Sequence, residues 1–159
     1  MNTMARDIMT RNVIVVEKDL SIHNLIETFL KNKISCAPVV NKKKKLVGIV
    51  TKTDVLGYFM DLDLDLTLKV GLKDILDFGS ERRDLEIIPE KAQKVGDIMT
   101  PKPITAEEDT SVKILAEIMI SNNIHRLIIE NDSAISGIVS TLDILYHVAG
   151  IKKKEAEKN

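Results

Sequence analysis

The sequence predicts an α+β protein in which one small unit, β-α-β-β-α, is written twice. Asp7-Ile8-Met9-Thr10 returns unchanged as Asp97-Ile98-Met99-Thr100, the mark of an internal repeat. Holding that offset from Asp7 to Asn41 gives 13 identities in 35 positions, against about two or three expected by chance. One residue fewer separates the copies after Asn131. There Gly48-Ile49-Val50-Thr51-Lys52-Thr53-Asp54-Val55-Leu56 faces Gly137-Ile138-Val139-Ser140-Thr141-Leu142-Asp143-Ile144-Leu145, with five of nine positions identical. The copies span residues 5–60 and 95–150. Residues 61–94 link them and 151–159 form a charged tail.

Each copy reads in the same order. Val13, Ile14, Val15 and Val16 are an extended run. Ser21 then caps a helix whose apolar residues Ile22, Leu25, Ile26, Phe29 and Leu30 keep helical spacing. Ser111 and Val112, Leu115, Ala116, Met119 and Ile120 repeat the pattern. Two β-type runs follow, residues 34–40 and 46–50, joined by the lysine-rich turn 42–45, and a second helix starts after Thr51. A unit of this size buries too little surface to be stable alone, so two copies are expected to pack together. Ile114 and Ile118 lie off the main apolar stripe of the second copy's first helix. A helix apolar on most sides needs more than one cover, and a homodimer would provide it.

The linker is long for a plain loop. Its stretch Leu72-Lys73-Asp74-Ile75-Leu76-Asp77-Phe78, followed by Gly79, predicts a short helix with a C-cap. Asp61, Asp63 and Asp65 alternate with leucines, but a calcium loop wants a glycine and a closing glutamate, so a solvated helix end fits better.

Composition excludes several function classes. With 44% apolar residues in 159, the chain can furnish a core. Lys and Arg number 23 against 24 Asp and Glu, so the net charge of −1 gives no global field for nucleic acid or an anionic membrane. Aromatic residues are 3% with no Trp, too few for base-stacking platforms. No apolar run approaches the roughly 20 residues of a membrane-spanning helix. The single cysteine, Cys36, and the absence of a signal-peptide pattern predict a cytoplasmic protein. There is no metal-ligand spacing, no nucleophile-base order and no Gly-rich phosphate loop, so neither enzymatic activity nor a required cofactor is expected. His23 and His147 stand without ligand-spaced partners.

Asp-Ile-Met-Thr, then Ile34-Ser35-Cys36-Ala37-Pro38-Val39-Val40, then Gly48-Ile49-Val50-Thr51-x-x-Asp54, all in duplicate, resemble the cystathionine β-synthase (CBS) domain family. A tandem pair of such domains is known as a Bateman module. The resemblance covers about 110 of the 159 residues. It implies two β-α-β-β-α domains packed sheet to sheet about a pseudo-twofold axis, with two clefts that commonly hold adenosine compounds. By position it implies that Asp54 binds ribose hydroxyls while Thr51 approaches phosphate, with Asp143 and Ser140 doing the same in the other cleft. Each cleft would be closed by the other copy: Asp54 by Ile124, His125 and Arg126, and Asp143 by Ile34, Ser35 and Cys36. His125 and Arg126 match a phosphate-reaching version of this strand, so a phosphorylated nucleotide is expected beside Asp54. The second copy has Ile128 where the first has Pro38.

Elementary chemistry agrees with that assignment. A carboxylate accepts two hydrogen bonds from a vicinal diol, free N–H groups at a helix start favour an anion, and a guanidinium donates to phosphate. Thr51-x-x-Asp54 and Ser140-x-x-Asp143 are equally helix-start signals, each worth about 1 kcal/mol, and Arg126 can be a surface ion-pair partner. The resulting expectation is a regulatory module that binds AMP, ADP or ATP between its copies and signals occupancy to an effector protein. The alternatives are a sensor of S-adenosylmethionine or a similar adenosyl ligand, and a structural interaction module with empty clefts.

Overall fold

The computed structural model describes residues 3–61 and 94–151. The linker helix predicted at 72–78, the acidic alternation beyond Asp61 and the lysines of the tail lie outside them.

The first copy runs α1 (Ala5–Ile8), β1 (Val16–Glu17), α2 (Ile22–Asn32), β2 (Cys36–Val40), β3 (Leu46–Thr51) and α3 (Lys52–Asp61). The second runs α4 (Val95–Ile98), β4 (Thr100–Pro101), β5 (Thr105–Glu107), α5 (Val112–Ser121), β6 (Arg126–Asn131), β7 (Ala134–Ser140) and α6 (Thr141–Val148). The β-α-β-β-α order is present in both. The extended run predicted at 13–16 contributes only Val16 to a strand, and a helical turn at the Asp-Ile-Met-Thr motif opens each copy.

Two compact units form, and their boundaries differ from those of the repeats. Described residues from Ile14 to Pro103 make one unit; those up to Val13 and from Ile104 onward make the other. Each motif segment is therefore built into the unit that holds the other copy's hairpin.

In the Ile14–Pro103 unit the sheet order is β1-β2-β3-β4. Strand β1 runs parallel to β2, with Val16 opposite Val39, and the β2–β3 hairpin is antiparallel. Strand β4 adds to β3 by pairing Thr100 with Ile49. The Asn41 side chain organises the hairpin turn: its Oδ1 accepts the N–H of Lys43 at 2.9 Å and of Lys45 at 3.0 Å, an Asx-type contact that competes well with extended backbone. The α2 helix starts where Ser21 Oγ accepts the Asn24 N–H and ends at Lys33, whose φ of 53° is left-handed. Its Ile22, Leu25 and Phe29 pack with Ala37 and Val39 of β2, with Val55, Tyr58 and Phe59 of α3, and with Val95.

The other unit repeats this plan with a sheet ordered β5-β6-β7. The β6–β7 hairpin closes on Asp132 and Ser133, both at positive φ between the paired Asn131 and Ala134, the backbone twist a two-residue hairpin loop requires. Thr10 exchanges two backbone hydrogen bonds with Ile138, at 2.9 and 3.0 Å, and so flanks β7 as Thr100 flanks β3. The core combines Ala5 and Met9 with Leu115, Met119, Leu127, Ile129 and Val139.

Candidate functional site

In each unit the second strand of the hairpin runs directly into a helix, and the turn between them is held the same way. Asp54 Oδ2 accepts the N–H and the Oγ1–H of Thr51, both at 2.7 Å, and the Asp54 N–H returns a bond of 3.3 Å to Thr51 Oγ1. Asp143 Oδ2 accepts the N–H of Ser140 at 2.7 Å and its Oγ–H at 2.6 Å, with a 3.3 Å return bond from the Asp143 N–H to Ser140 Oγ. This is a reciprocal capping box, with an aspartate three residues into the helix closing the loop. Both carboxylates are thereby fixed beside backbone N–H groups that have no intrahelical partner.

The two aspartates differ in surroundings. Asp143 is 4% exposed, whereas Asp54 is only half-buried. Both hydrogen bonds that the Asp54 carboxylate accepts among the described residues fall on Oδ2, which leaves Oδ1 as an open acceptor. Lys52, between Thr51 and Asp54, is half-buried, and desolvation holds its ammonium below the ordinary lysine pKa.

The strand before each hairpin lies against the same turn. Lys52 donates its N–H to the Ser35 carbonyl at 3.0 Å, and Cys36 pairs with Thr51 in the sheet register. In the other unit Thr141 donates to the His125 carbonyl at 3.0 Å, and Arg126 pairs with Ser140. Ile34, Ser35, Cys36, Thr51 and Asp54 thus gather in one unit, and Ile124, His125, Arg126, Ser140 and Asp143 in the other. Ile34, Ile124 and Arg126 are half-buried and His125 is exposed.

The motif methionines were not singled out by their sequence. A Cβ placed on Gly48 would lie 2.5 Å from Met99 Sδ and 3.0 Å from the Thr100 carbonyl oxygen, and one on Gly137 would lie 2.8 Å from Met9 Cγ. The glycine that opens each Gly-x-x-Thr/Ser-x-x-Asp motif is therefore the seat of the other copy's methionine. The signal was available: Met9 and Met99 sit in the one tetrapeptide that the two copies share without change. Asp7 and Asp97 of those segments also hold their helical turns, accepting the N–H of Met4 at 2.8 Å and of Lys94 at 2.9 Å.

Among the described residues, no group of His, Cys, Asp and Glu could hold a metal ion. No helix among them is long and apolar enough to cross a membrane.

Comparison with known proteins places this geometry in a family. The profile of the CBS domain matches residues 5–61 and again residues 95–150. An uncharacterized protein of Methanocaldococcus jannaschii is 34% identical over 152 residues, covering 89% of each chain. The CBS domain pair of protein MJ0100, solved in complex with 5′-methylthioadenosine and S-adenosyl-L-methionine, superposes with a TM-score of 0.72 at 24% identity, covering 94% of this chain and 98% of that one. The structure of CBSX2 in complex with AMP gives a TM-score of 0.68 at 22% identity over the same shares. Two matched copies that fill most of the sequence make this chain a member of the CBS-domain family.

Proposed function

We propose that the chain is a non-catalytic regulatory module that binds an adenosine nucleotide and reports its presence to a partner protein. The observation that carries this reading is the duplicated capping box, above all Asp54, whose Oδ2 is committed to the helix start while Oδ1 is left to accept. In the proposed complex Asp54 accepts hydrogen bonds from the ribose diol, Thr51 and the positive end of the α3 dipole meet phosphate, and His125 and Arg126 supply its positive counterpart. Asp143, Ser140, Ile34, Ser35 and Cys36 form the equivalent set around the second ligand position. The first position is favoured for AMP, ADP or ATP because its aspartate is the more exposed and its expected partner strand is the cationic one. Complexes of two CBS-domain neighbours with AMP and with adenosyl compounds support the ligand class.

Titration calorimetry with AMP, ADP, ATP and S-adenosylmethionine tests the reading. Asp54→Ala is expected to weaken nucleotide binding at least tenfold in a folded protein; unchanged affinity refutes the assignment of Asp54. A phosphorylated ligand also requires Arg126. The MJ0100 complex favours S-adenosylmethionine as a second reading, and under it Arg126→Ala leaves affinity unchanged. Binding of none of the four leaves a structural interaction module.

A homodimer belongs to the same proposal. Ile114 is 47% exposed, and Leu142 and Leu145 of α6 are 54% and 61% exposed, while Ile118 packs against the core. The equivalent positions of the first copy, Asn24, Thr53 and Leu56, are mostly polar. An apolar face confined to one unit suits a self-complementary contact about a twofold axis. Leu145→Glu is expected to halve the mass measured by light scattering.

A further inference from the structure

The equivalent hairpin edges of the two units carry opposite charge. In the Ile14–Pro103 unit, Asp19 sits under three lysines: Lys94 Nζ lies 3.1 Å from its carboxylate and Lys42 Nζ 3.9 Å. Lys18 is the third cation acting on that carboxylate. Lys44 Nζ reaches Glu17 at 2.6 Å from the neighbouring turn, and Lys43 and Lys45 flank it, tied to the Asn41 side chain through their own N–H groups. Four lysines thus act on two carboxylates, and two more stand in the same turn.

At the matching place in the other unit the lysines are gone. Glu107, Glu108 and Asp109 replace Glu17, Lys18 and Asp19; Glu130 replaces Val40; and Asp132 stands in the hairpin turn. Glu107 and Glu130 are direct neighbours in the parallel β5–β6 register. No ion pair among the described residues balances these five acids, although the Arg6 backbone N–H donates to the Glu108 carbonyl at their rim. The near-neutral total charge therefore conceals a cationic edge and an anionic edge of similar size.

We propose that the lysine edge of one copy docks on the acidic edge of a second copy of this chain. A compact anionic protein surface fits better than nucleic acid: the six lysines are interleaved with Glu17 and Asp19, which would meet a phosphate backbone as repulsive charges, and the surface of matching size and opposite sign is carried by the chain itself. Such a contact joins two different patches, so it is heterologous and propagates as a ring or a filament. It is attractive at low ionic strength and screened at high. The apolar dimer contact proposed above has the opposite salt response, since excluded salts strengthen apolar burial, and the two are separable on that basis.

Sedimentation velocity of the full chain at about 20 mM and about 500 mM salt reads the contact directly. The weight-average mass is expected to exceed the high-salt value at low salt, rising with protein concentration. K42E/K43E/K45E, which spares the left-handed Lys44, and E107K/E108K/D109K are each expected to abolish the low-salt increase, with far-ultraviolet circular dichroism confirming that both variants fold. Mixing the two variants in equal amounts is expected to restore it, because each then supplies the edge the other lacks. A wild-type mass independent of salt overturns the proposal, as does a mixture that stays dispersed. Retention of a labelled oligonucleotide at about 150 mM salt, lost in K42E/K43E/K45E, overturns it in favour of a nucleic-acid partner.

Discussion

Removal of the Asp143 carboxylate separates what that group does for the fold from what it does for a ligand. In Asp143→Ala the N–H and Oγ–H of Ser140 lose acceptors at 2.7 and 2.6 Å, at a position where the aspartate is 4% exposed and water cannot readily substitute. A hydrogen bond to a charged group contributes about 1.5–3 kcal/mol, and a lost cap alone costs about 1 kcal/mol. The two bonds share one acceptor atom, so their losses overlap, and the expected cost is about 2–4 kcal/mol. At about 2–4 °C per kcal/mol for a chain of this length, the ligand-free protein should melt roughly 5–15 °C lower. Asp143→Asn keeps a neutral acceptor and should cost about 1 kcal/mol. Asp54→Ala breaks the same pair of bonds at a half-exposed site, where water replaces them, and should cost about 1–2 kcal/mol. The assay is urea or thermal unfolding without nucleotide. If Asp143→Ala is no more destabilising than Asp54→Ala, or costs less than about 0.5 kcal/mol, burial does not set the strength of the cap and the reasoning fails.

Three further outcomes follow from the packing. Gly137→Ala drives a methyl group into the Met9 side chain and should cost about 1–3 kcal/mol, with Met9→Ala in the same chain recovering part of the loss in a double-mutant cycle; additive losses would refute the contact. Leu115→Ala, at 0% exposure, should cost about 2–5 kcal/mol, while Ile120→Ala, at 80% exposure, should stay within about 0.5 kcal/mol; equal effects in chemical denaturation would contradict the assigned core face. Asp19 is held below its ordinary pKa by its hydrogen bond to Lys94, then by the charges of Lys94, Lys42 and Lys18. Its native pKa is the lower one, so its stabilisation is present above the unfolded pKa and is lost as pH falls through the native value. Melts of wild type and Asp19→Asn should therefore differ near neutrality and converge below about pH 4, and a difference that persists in acid would refute the ion pair.

The elements that repeat a local pattern were legible from residues alone. Ser21 and Ser111 mark helix starts because a hydroxyl there meets an orphan N–H, and the spacing of Leu25 and Phe29 or Leu115 and Met119 names the buried face. Thr51-x-x-Asp54 was legible as a cap, which uses Asp54 Oδ2; the ligand position we propose for the same carboxylate uses its other oxygen. The partition of the chain was hidden. Pairing of Thr10 with Ile138 and of Thr100 with Ile49 is long-range backbone hydrogen bonding, which leaves no periodicity in either partner. The bounds of β1 were also hidden, since Val13 to Val16 have strand-like composition but only Val16 among them finds a neighbour, Val39, to pair with. Charge divergence between the hairpin edges was visible residue by residue, yet only the shared register of Glu107 with Glu130 and the clustering of lysines on Asp19 turn it into two surfaces.

The placement of the first Asp-Ile-Met-Thr segment has a consequence for the order of events during synthesis. The Ile14–Pro103 unit is continuous in the chain and can close as soon as its last strand has left the ribosome. The other unit cannot: Met4 bridges Ser111 and Thr10 bridges Ile138, so a segment made before the Ile14–Pro103 unit waits for segments made after it. Closing a loop of roughly a hundred residues rather than ten adds about 2 kcal/mol of entropy cost, and non-local pairing of this kind slows folding. Until α5, β6 and β7 emerge, Ala5 and Met9 lack the core residues they pack with. The nascent chain thus carries a folded Ile14–Pro103 unit beside a still unpaired α1 segment, a state that chaperones or early proteolysis would meet before both units are complete.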